Sequence, residues 1–98
     1  MTFVLTVRSE AELDIEEHYV TYEGKRAGLG HDFLLCVEEA LAKLARNPLI
    51  YRKFYKELRR IPVRRFPYRV LYFINGHRVI VTAVFHVRKD PTSWIDRN

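Results

Sequence analysis

The sequence contains one cysteine, Cys36, among its 98 residues. No disulfide can therefore form within the chain, and a reducing compartment is expected. No apolar run approaches the ~18 residues that a membrane-spanning helix needs. The basic, apolar and small-residue succession of a secretory signal is also missing. We therefore expect a cytoplasmic protein with no membrane partner.

Signatures of metal, nucleotide and hydrolase sites are missing as well. No cysteine pair accompanies the histidines, and their spacing does not match that of a metal site; they are His18, His31, His77 and His86. The chain has only four glycines and contains no phosphate-binding loop, dinucleotide fingerprint or G-x-S-x-G motif. We therefore expect neither a metal nor a cofactor.

Acidic residues are scarce in the second half of the chain. Residues 51–98 hold three acidic and twelve basic residues, a net charge of +9, whereas residues 1–50 hold nine acidic and five basic residues, a net charge of −4. This asymmetry favours an anionic partner for the second half, either a nucleic acid or an acidic protein segment. The alternative is a merely solvated basic surface.

The patterning predicts one domain, residues 1–98, of the α+β class. Residues 2–8 alternate as a strand, and Ser9 begins a capping box that starts an amphipathic helix. A second helix is predicted over residues 31–46, where Asn47-Pro48 ends it. Residues 49–56 are interpreted as an irregular connection. The order β-α-α-β-β-β predicts a small antiparallel sheet with an N-terminal helical hairpin packed on one face.

Residues 64–86 predict a β-hairpin around Asn75-Gly76, a pair suited to a type I′ turn. That turn pairs Ile74 with His77, Tyr72 with Val79, Val70 with Val81, and Tyr68 with Ala83. Alternation then directs one apolar set of side chains to the helices: Tyr68, Val70, Tyr72, Val79, Val81, Ala83 and Phe85. The open face is predicted to carry Arg69, Leu71, Phe73, Arg78, Ile80, Thr82 and Val84, with Arg65 opposite His86.

The predicted open face concentrates the side chains able to do chemistry. They are Arg65, Arg69, His86 and Arg88, with Tyr51, Tyr55 and Arg60 nearby in sequence. Arginines can clamp a phosphate through paired N–H donors, and a histidine can transfer a proton during RNA cleavage. The structural alternative is that Arg69 pairs with a carboxylate and His86 only hydrogen-bonds its neighbours.

Two motifs in this half carry a resemblance to a known family. Phe66-Pro67-Tyr68-Arg69, followed by His86-x-x-Lys89-Asp90-Pro91, resembles the RelE/ParE superfamily, the toxins of bacterial type II toxin–antitoxin modules. The resemblance extends over both predicted helices and is nearer the ParE branch. It implies a compact toxin that is bound and blocked by an antitoxin, and it allows a toxin–antitoxin hetero-oligomer.

The superfamily divides by target, and both targets stay open. ParE-like toxins poison DNA gyrase, whereas RelE-like toxins cleave mRNA on the ribosome; a degenerate fold that only binds an antitoxin is a third possibility. Arg69 stands where RelE-like toxins have an arginine, and Arg60 and Pro62 stand where they have two lysines. The resemblance makes Arg69, His86 and Arg88 catalytic candidates if the chain is an endoribonuclease. The predicted residues for binding a target or antitoxin are Arg60, Arg65, Arg69, His86, Arg88 and Lys89.

Overall fold

A computed structural model of the chain describes residues 3–89. Its elements are, in order, β1 (Val4–Val7), α1 (Ser9–Lys25), α2 (Leu29–Arg46), a single-turn 3-10 helix (Pro48–Ile50), β2 (Lys53–Tyr55), β3 (Leu58–Pro62), β4 (Tyr68–Asn75) and β5 (Arg78–His86). The C-terminal turn expected around Trp94 lies outside the described residues.

The five strands form one sheet in the order β1-β5-β4-β3-β2. β1 runs parallel to β5, and the other neighbours are antiparallel. The predicted α+β architecture is confirmed, with two corrections. The sheet is mixed rather than antiparallel, because β1 joins the last strand of the described chain. The predicted irregular connection also contains a further short strand, β2.

Both helices pack on one face of the sheet. The core buried between the helices and the sheet combines two sets of side chains. They are Ala11, Phe33, Cys36, Val37, Ala40 and Leu44 from the helices, and Ile61, Val63, Phe66, Tyr68, Val70, Tyr72, Val79, Val81 and Val84 from the sheet side. Cys36 is a free, buried thiol, as predicted.

The start of α1 differs from the predicted capping box. The helix already includes Ser9, its N-cap is Arg8, and no side chain caps it. The backbone N–H of Glu12 bonds to the Arg8 carbonyl, and the Ser9 hydroxyl donates to Glu10. The predicted capping box does not form, and the helix starts one residue earlier than predicted, because the chain turns into the helix directly from the extended Arg8.

The turn between the helices is held by one carboxylate. The backbone N–H groups of Gly28 and Gly30 each donate to Glu23 at 2.9 Å. Gly28 has a φ of 88°, in the left-handed region that favours glycine. These hydrogen bonds, led by the one from Gly28, hold the pKa of Glu23 below its usual value. Glu23 thus caps α2, which begins two residues before its predicted start.

Gly30 lies at the closest approach of the two helices. A Cβ there would stand 2.7 Å from the Tyr19 carbonyl oxygen, a backbone atom. We expect Gly30→Ala to lower the free energy of unfolding by about 1–3 kcal/mol, measured by urea denaturation. Gly24→Ala is the matched control, because nothing lies within 4 Å of its added Cβ. That helix substitution should be neutral or stabilising by up to about 1 kcal/mol; equal losses in both variants would contradict close packing at Gly30.

The pairing of β4 with β5 is shifted by two residues from the predicted register. Asn75 pairs with Arg78 and Ile74 with Val79, so the two turn residues are Gly76 and His77. Only Gly76 has a positive φ, 63°, as a type II′ turn requires at its first central residue. Because a shift of two residues preserves the faces, the predicted helix-facing set is confirmed for Tyr68, Val70, Tyr72, Val79 and Val81.

A β-bulge then exchanges the faces of the rest of β5. Tyr72 pairs with Val81 but Leu71 pairs with Ala83, leaving Thr82 as the extra residue. Its hydroxyl donates to the Leu71 carbonyl oxygen at 3.4 Å. The predicted faces of four residues are therefore wrong: Ala83 and Phe85 lie on the open face, whereas Val84 and His86 lie on the helix side.

Candidate functional site

The open face of the sheet has an apolar floor. Leu58, Leu71, Ala83 and Phe85 form a second buried cluster, separate from the core under the helices. The half-buried rings of Phe54 and Phe73 pack against this cluster. Charged side chains above it therefore stand on a low-dielectric surface, where electrostatic contacts are stronger than in water.

Two arginines lie beside each other above this floor. Arg60 pairs with Leu71, and Arg69 pairs with Pro62, which places the arginines at diagonal positions on adjacent strands. The Arg60 guanidinium lies 4.5 Å from the Phe54 ring centroid. Burial, and secondly the charge of Arg69, lowers the pKa of Arg60 from its usual value. The two cations thus face each other closely enough to repel.

A third arginine reaches the same open face from the β1 edge of the sheet. Arg8 follows β1, and its guanidinium carbon lies 5.5 Å from the Phe73 ring centroid. Sequence reasoning missed Arg8, Phe54 and Phe73 as site residues. The parallel pairing of β1 with β5, which brings Arg8 to this face, leaves no local signal in the sequence. We call the set Arg8, Arg60, Arg69, Phe54 and Phe73 the open-face arginine site.

Arg65 was predicted to share a site with Arg60 and Arg69, but the structure places it elsewhere. Arg65 lies in the turn before β4, with a φ of 72°, and its guanidinium is 3.9 Å from the Asp32 carboxylate of α2. Within residues 3–89, no carboxylate lies within ion-pair distance, 4.0 Å, of Arg60 or Arg69. No described carboxylate therefore competes with an external carboxylate or phosphate for these two guanidinium groups.

His86 is placed on the opposite side of the sheet from the prediction. It pairs with Tyr68, a helix-facing residue, and the two ring centroids are 5.2 Å apart. The Arg88 backbone N–H donates to His86 Nδ1 at 3.0 Å, and the Lys89 N–H donates to the His86 carbonyl oxygen. The bulge at Thr82 is the reason, because it exchanges the faces. Arg88 and Lys89 lie exposed in the turn after β5.

His86 and a second histidine, His18, both contact Tyr68. The Tyr68 hydroxyl lies 3.2 Å from His18 Nδ1, on α1. Burial, and secondly a hydrogen bond with Tyr22, raises the pKa of Tyr68 to about 12, so its hydroxyl stays protonated at neutral pH. Burial also lowers the pKa of His18 below its usual value of 6.5, although nearby acids oppose the shift. His18 is therefore held neutral in the folded chain.

The lowered pKa of His18 predicts a loss of stability on acidification. The unfolded chain binds this proton more readily, so the free energy of unfolding should fall as the pH drops below about 6.5. Urea titrations at about pH 7.5 and about pH 5 measure the change. The decrease should be smaller in His18→Gln than in the unaltered protein. In His77→Gln, which alters an exposed turn residue, it should be as large as in the unaltered protein. An equal decrease in all three proteins would contradict the assignment to His18.

The two tyrosines near the predicted site do not complete it. Tyr51 is half-buried against the core under the helices, and Tyr55 is exposed on β2 beside Lys56. No group of three or more histidine, cysteine or acidic side chains within residues 3–89 could hold a metal ion. Over the same span, neither helix combines the length and apolar composition needed to cross a bilayer.

Solved structures of toxin–antitoxin proteins share this fold. The chain superposes with a TM-score of 0.79 on a protein of the chromosomal ParDE system from P. aeruginosa, with 12% identity over 87% of this chain and 96% of that one. The TM-score is 0.74 with a mutant of the E. coli toxin RelE in the free state, with 16% identity over 99% and 98%. It is 0.64 with the RelBE2 complex of Mycobacterium tuberculosis, with 22% identity over 88% and 99%.

No match to the chain is found among curated proteins. The model of one protein family, described as the ParE toxin of the type II toxin–antitoxin system parDE, matches residues 4–91. That match spans both helices and every described strand, including the strands that carry the open-face arginine site. The chain therefore belongs to the ParE toxin family of type II toxin–antitoxin systems.

Proposed function

We propose that this toxin inhibits growth by binding DNA gyrase through the open-face arginine site, and that a cognate antitoxin neutralises it. Gyrase acts on chromosomal DNA, so the proposal places the chain in the cytoplasm. The proposal requires a surface that binds an anion and does no covalent chemistry. The open face of the sheet supplies the anion-binding arginines, and His86 lies on the other face.

The observation that carries the proposal is the separation of Arg69 from His86. Arg69 pairs with Phe85 on the open face, whereas His86 pairs with Tyr68 on the helix side. RNA cleavage needs a proton-transferring group within hydrogen-bond reach of the substrate atom. Glu57, the acid nearest to Arg69 in sequence, is exposed and ion-paired with Lys53 at 2.7 Å. This arrangement suits binding better than catalysis.

A ribosome-dependent mRNA endoribonuclease is the second candidate. The open-face arginine site combines guanidinium groups with two phenylalanine rings, the side chains that hold phosphates and stack on bases in single-stranded RNA. The fold is also shared with RelE, at a TM-score of 0.74. Arginine alone could stabilise charge that develops on a phosphoryl group.

One induction experiment separates the candidates. The toxin is induced, and plasmid supercoiling and DNA breakage are compared with cleavage of reporter mRNA. We expect supercoiling defects and breakage while the mRNA stays intact, with gyrase inhibition reproduced by the purified proteins. Cleaved mRNA with normal supercoiling would replace the gyrase proposal with the endoribonuclease. Normal growth with intact antitoxin binding would identify a degenerate toxin.

The antitoxin is expected to bring an acidic, amphipathic segment to the basic second half of the chain. Opposite charges raise the association rate and make affinity depend on salt. A small acidic reading frame beside the gene would support such a module. We expect the dissociation constant to rise at least about tenfold between about 50 mM and about 500 mM salt, measured by calorimetry. An unchanged constant would exclude charge complementarity as the main contribution.

A further inference from the structure

β1 forms one margin of the sheet, and within residues 3–89 no strand lies on its outer side. On its inner side the N–H groups of Val4 and Arg8 donate to carbonyl oxygens of β5 at 2.8 and 3.0 Å. Successive residues of a strand turn their N–H and C=O groups to opposite sides. Leu5 and Val7 therefore direct their backbone groups outward, where they are available to a further strand.

The two margins of the sheet differ in how they resist pairing. β2, at the opposite margin, has only three residues, an irregular register with β3 and an exposed lysine, Lys53. Shortness, irregularity and charge are the features that keep a strand from pairing with another molecule. β1 pairs with β5 in regular register, and residues 3–7 contain neither a charged residue nor a proline. We call the outward side of residues 3–7 the outer edge of β1.

The side chains of this strand are only partly covered. Phe3, Leu5 and Val7 pack against the core under the helices but stay half-buried. On the opposite face of the strand, Val4 is 49% exposed and Thr6 is exposed. An added strand would satisfy the outward backbone groups and would also cover apolar surface on both faces.

We propose that the outer edge of β1 pairs with the same edge of a second copy of the chain, giving a symmetric dimer with one continuous sheet. Antiparallel pairing about a twofold axis places Leu5 opposite Leu5 of the second copy, and Phe3 opposite Val7. Val4 then lies opposite Thr6. Apolar side chains therefore meet on the helix side, and every pair is uncharged.

The distribution of charge favours a second copy over an acidic partner at this edge. An acidic segment is attracted to residues 51–98, with their net charge of +9, whereas the uncharged β1 lies in the half with a net charge of −4. A second copy supplies a strand of equal length with the matching apolar pattern. Symmetry also repeats each contact, so a short strand contributes twice.

The proposed dimer would place both open-face arginine sites on one surface. Residues directly opposite each other in paired strands point to the same side of the sheet. The helices of both copies would therefore lie on one side, and both open faces on the other. Arg8, which follows β1, would lie near the junction in each copy. The pairing itself is additional to the proposed gyrase site and does not depend on it.

The test compares two double variants of the purified full-length chain. Val4→Lys with Thr6→Lys sets lysines opposite each other at the junction, where like charges oppose pairing. Leu13→Lys with Thr21→Lys is the matched control, because it replaces an exposed aliphatic residue and an exposed threonine of α1 and adds the same charge. Sedimentation equilibrium between about 10 μM and about 1 mM protein gives the dissociation constant. Circular dichroism checks that each variant is folded.

Amide hydrogen exchange locates the contact. The Leu5 and Val7 amides should exchange rapidly in dilute protein and become protected as the concentration rises. The Val4 and Arg8 amides, which are bonded to β5, should be protected at every concentration. Protection of Leu5 and Val7 already in the most dilute sample would mean that another part of the chain covers the edge, and it would overturn the proposal.

We expect a weak dimer, with a dissociation constant between about 10 μM and about 1 mM, because one short strand buries a small interface. The constant should rise at least about tenfold in the Val4/Thr6 variant and stay unchanged in the Leu13/Thr21 variant. A chain that stays monomeric at about 1 mM, equal weakening in both variants, or a dimer that leaves the exchange of Leu5 and Val7 unchanged would each contradict the proposal. Protection that requires added antitoxin would assign the edge to that partner instead. Gyrase inhibition enters none of these measurements.

Discussion

Replacing Arg69 by alanine is expected to abolish most of the toxicity while leaving the fold intact. Arg69 lies half-buried on the open face, beside Arg60 and opposite Phe85. A guanidinium that holds a carboxylate of gyrase or a phosphate in two-point contact contributes about 1.5–3 kcal/mol, equivalent to a loss of about 10- to 150-fold in affinity. The measurements are growth after induction and gyrase inhibition by the purified variant.

Three further variants identify the cause of that loss. Arg69→Lys should restore toxicity only in part, because an ammonium keeps the charge but not the planar fork. Arg78→Ala removes an exposed arginine near the turn of the same hairpin and should be fully toxic. His86→Gln should be mild under the gyrase proposal. If it abolishes toxicity in a folded protein that still binds its antitoxin, the endoribonuclease gains support; a fully toxic Arg69→Ala would place the functional surface elsewhere.

Phe33→Ala is expected to have the largest effect on stability. Phe33 is completely buried, and its ring centroid lies 5.2–5.4 Å from those of Tyr22, Phe66 and Tyr68. The ring therefore joins α1, α2 and the sheet. Truncation of a buried phenylalanine costs about 3–5 kcal/mol through lost burial and the cavity that remains. Urea denaturation followed by circular dichroism measures the difference.

Leu35→Ala is the matched control on the same helix. Leu35 is 51% exposed and lies outside both apolar clusters. Its truncation should change the free energy of unfolding by less than about 0.5 kcal/mol. A comparable loss in the two variants would contradict the central role of Phe33 in packing.

The helices and the last two strands were predictable because their patterns are local. Apolar residues recur at helical spacing in α2, and the predicted end at Asn47-Pro48 agrees with the structure. β2 was missed because it has only three residues, one of them a lysine, within a segment that shows no strand alternation. The parallel β1–β5 pairing joins the two ends of the described chain, so no short stretch of sequence records it.

The candidate site shows where local patterns fail. Arg69 was correctly predicted on the open face, because the error of two residues in register leaves every side chain on the same face. His86 was wrongly assigned there, since one extra residue at Thr82 reverses the faces that follow. Thr82 is β-branched like Val81 before it and carries no residue-level sign of a bulge. The bulge is determined instead by packing against the helices, which brings Val84 into the core.

Two side chains of α1 also affect how the sheet ends. β1 stops at Val7, and beyond its partner Val81 the backbone of β5 has lost a strand neighbour. Asp14 accepts the Val84 N–H at 3.0 Å, and His18 makes a hydrogen bond to the Val84 backbone. A helix thereby seals a length of sheet edge against pairing with another molecule. Loss of Asp14 would expose that edge and promote aggregation, so the contact protects solubility as well as packing.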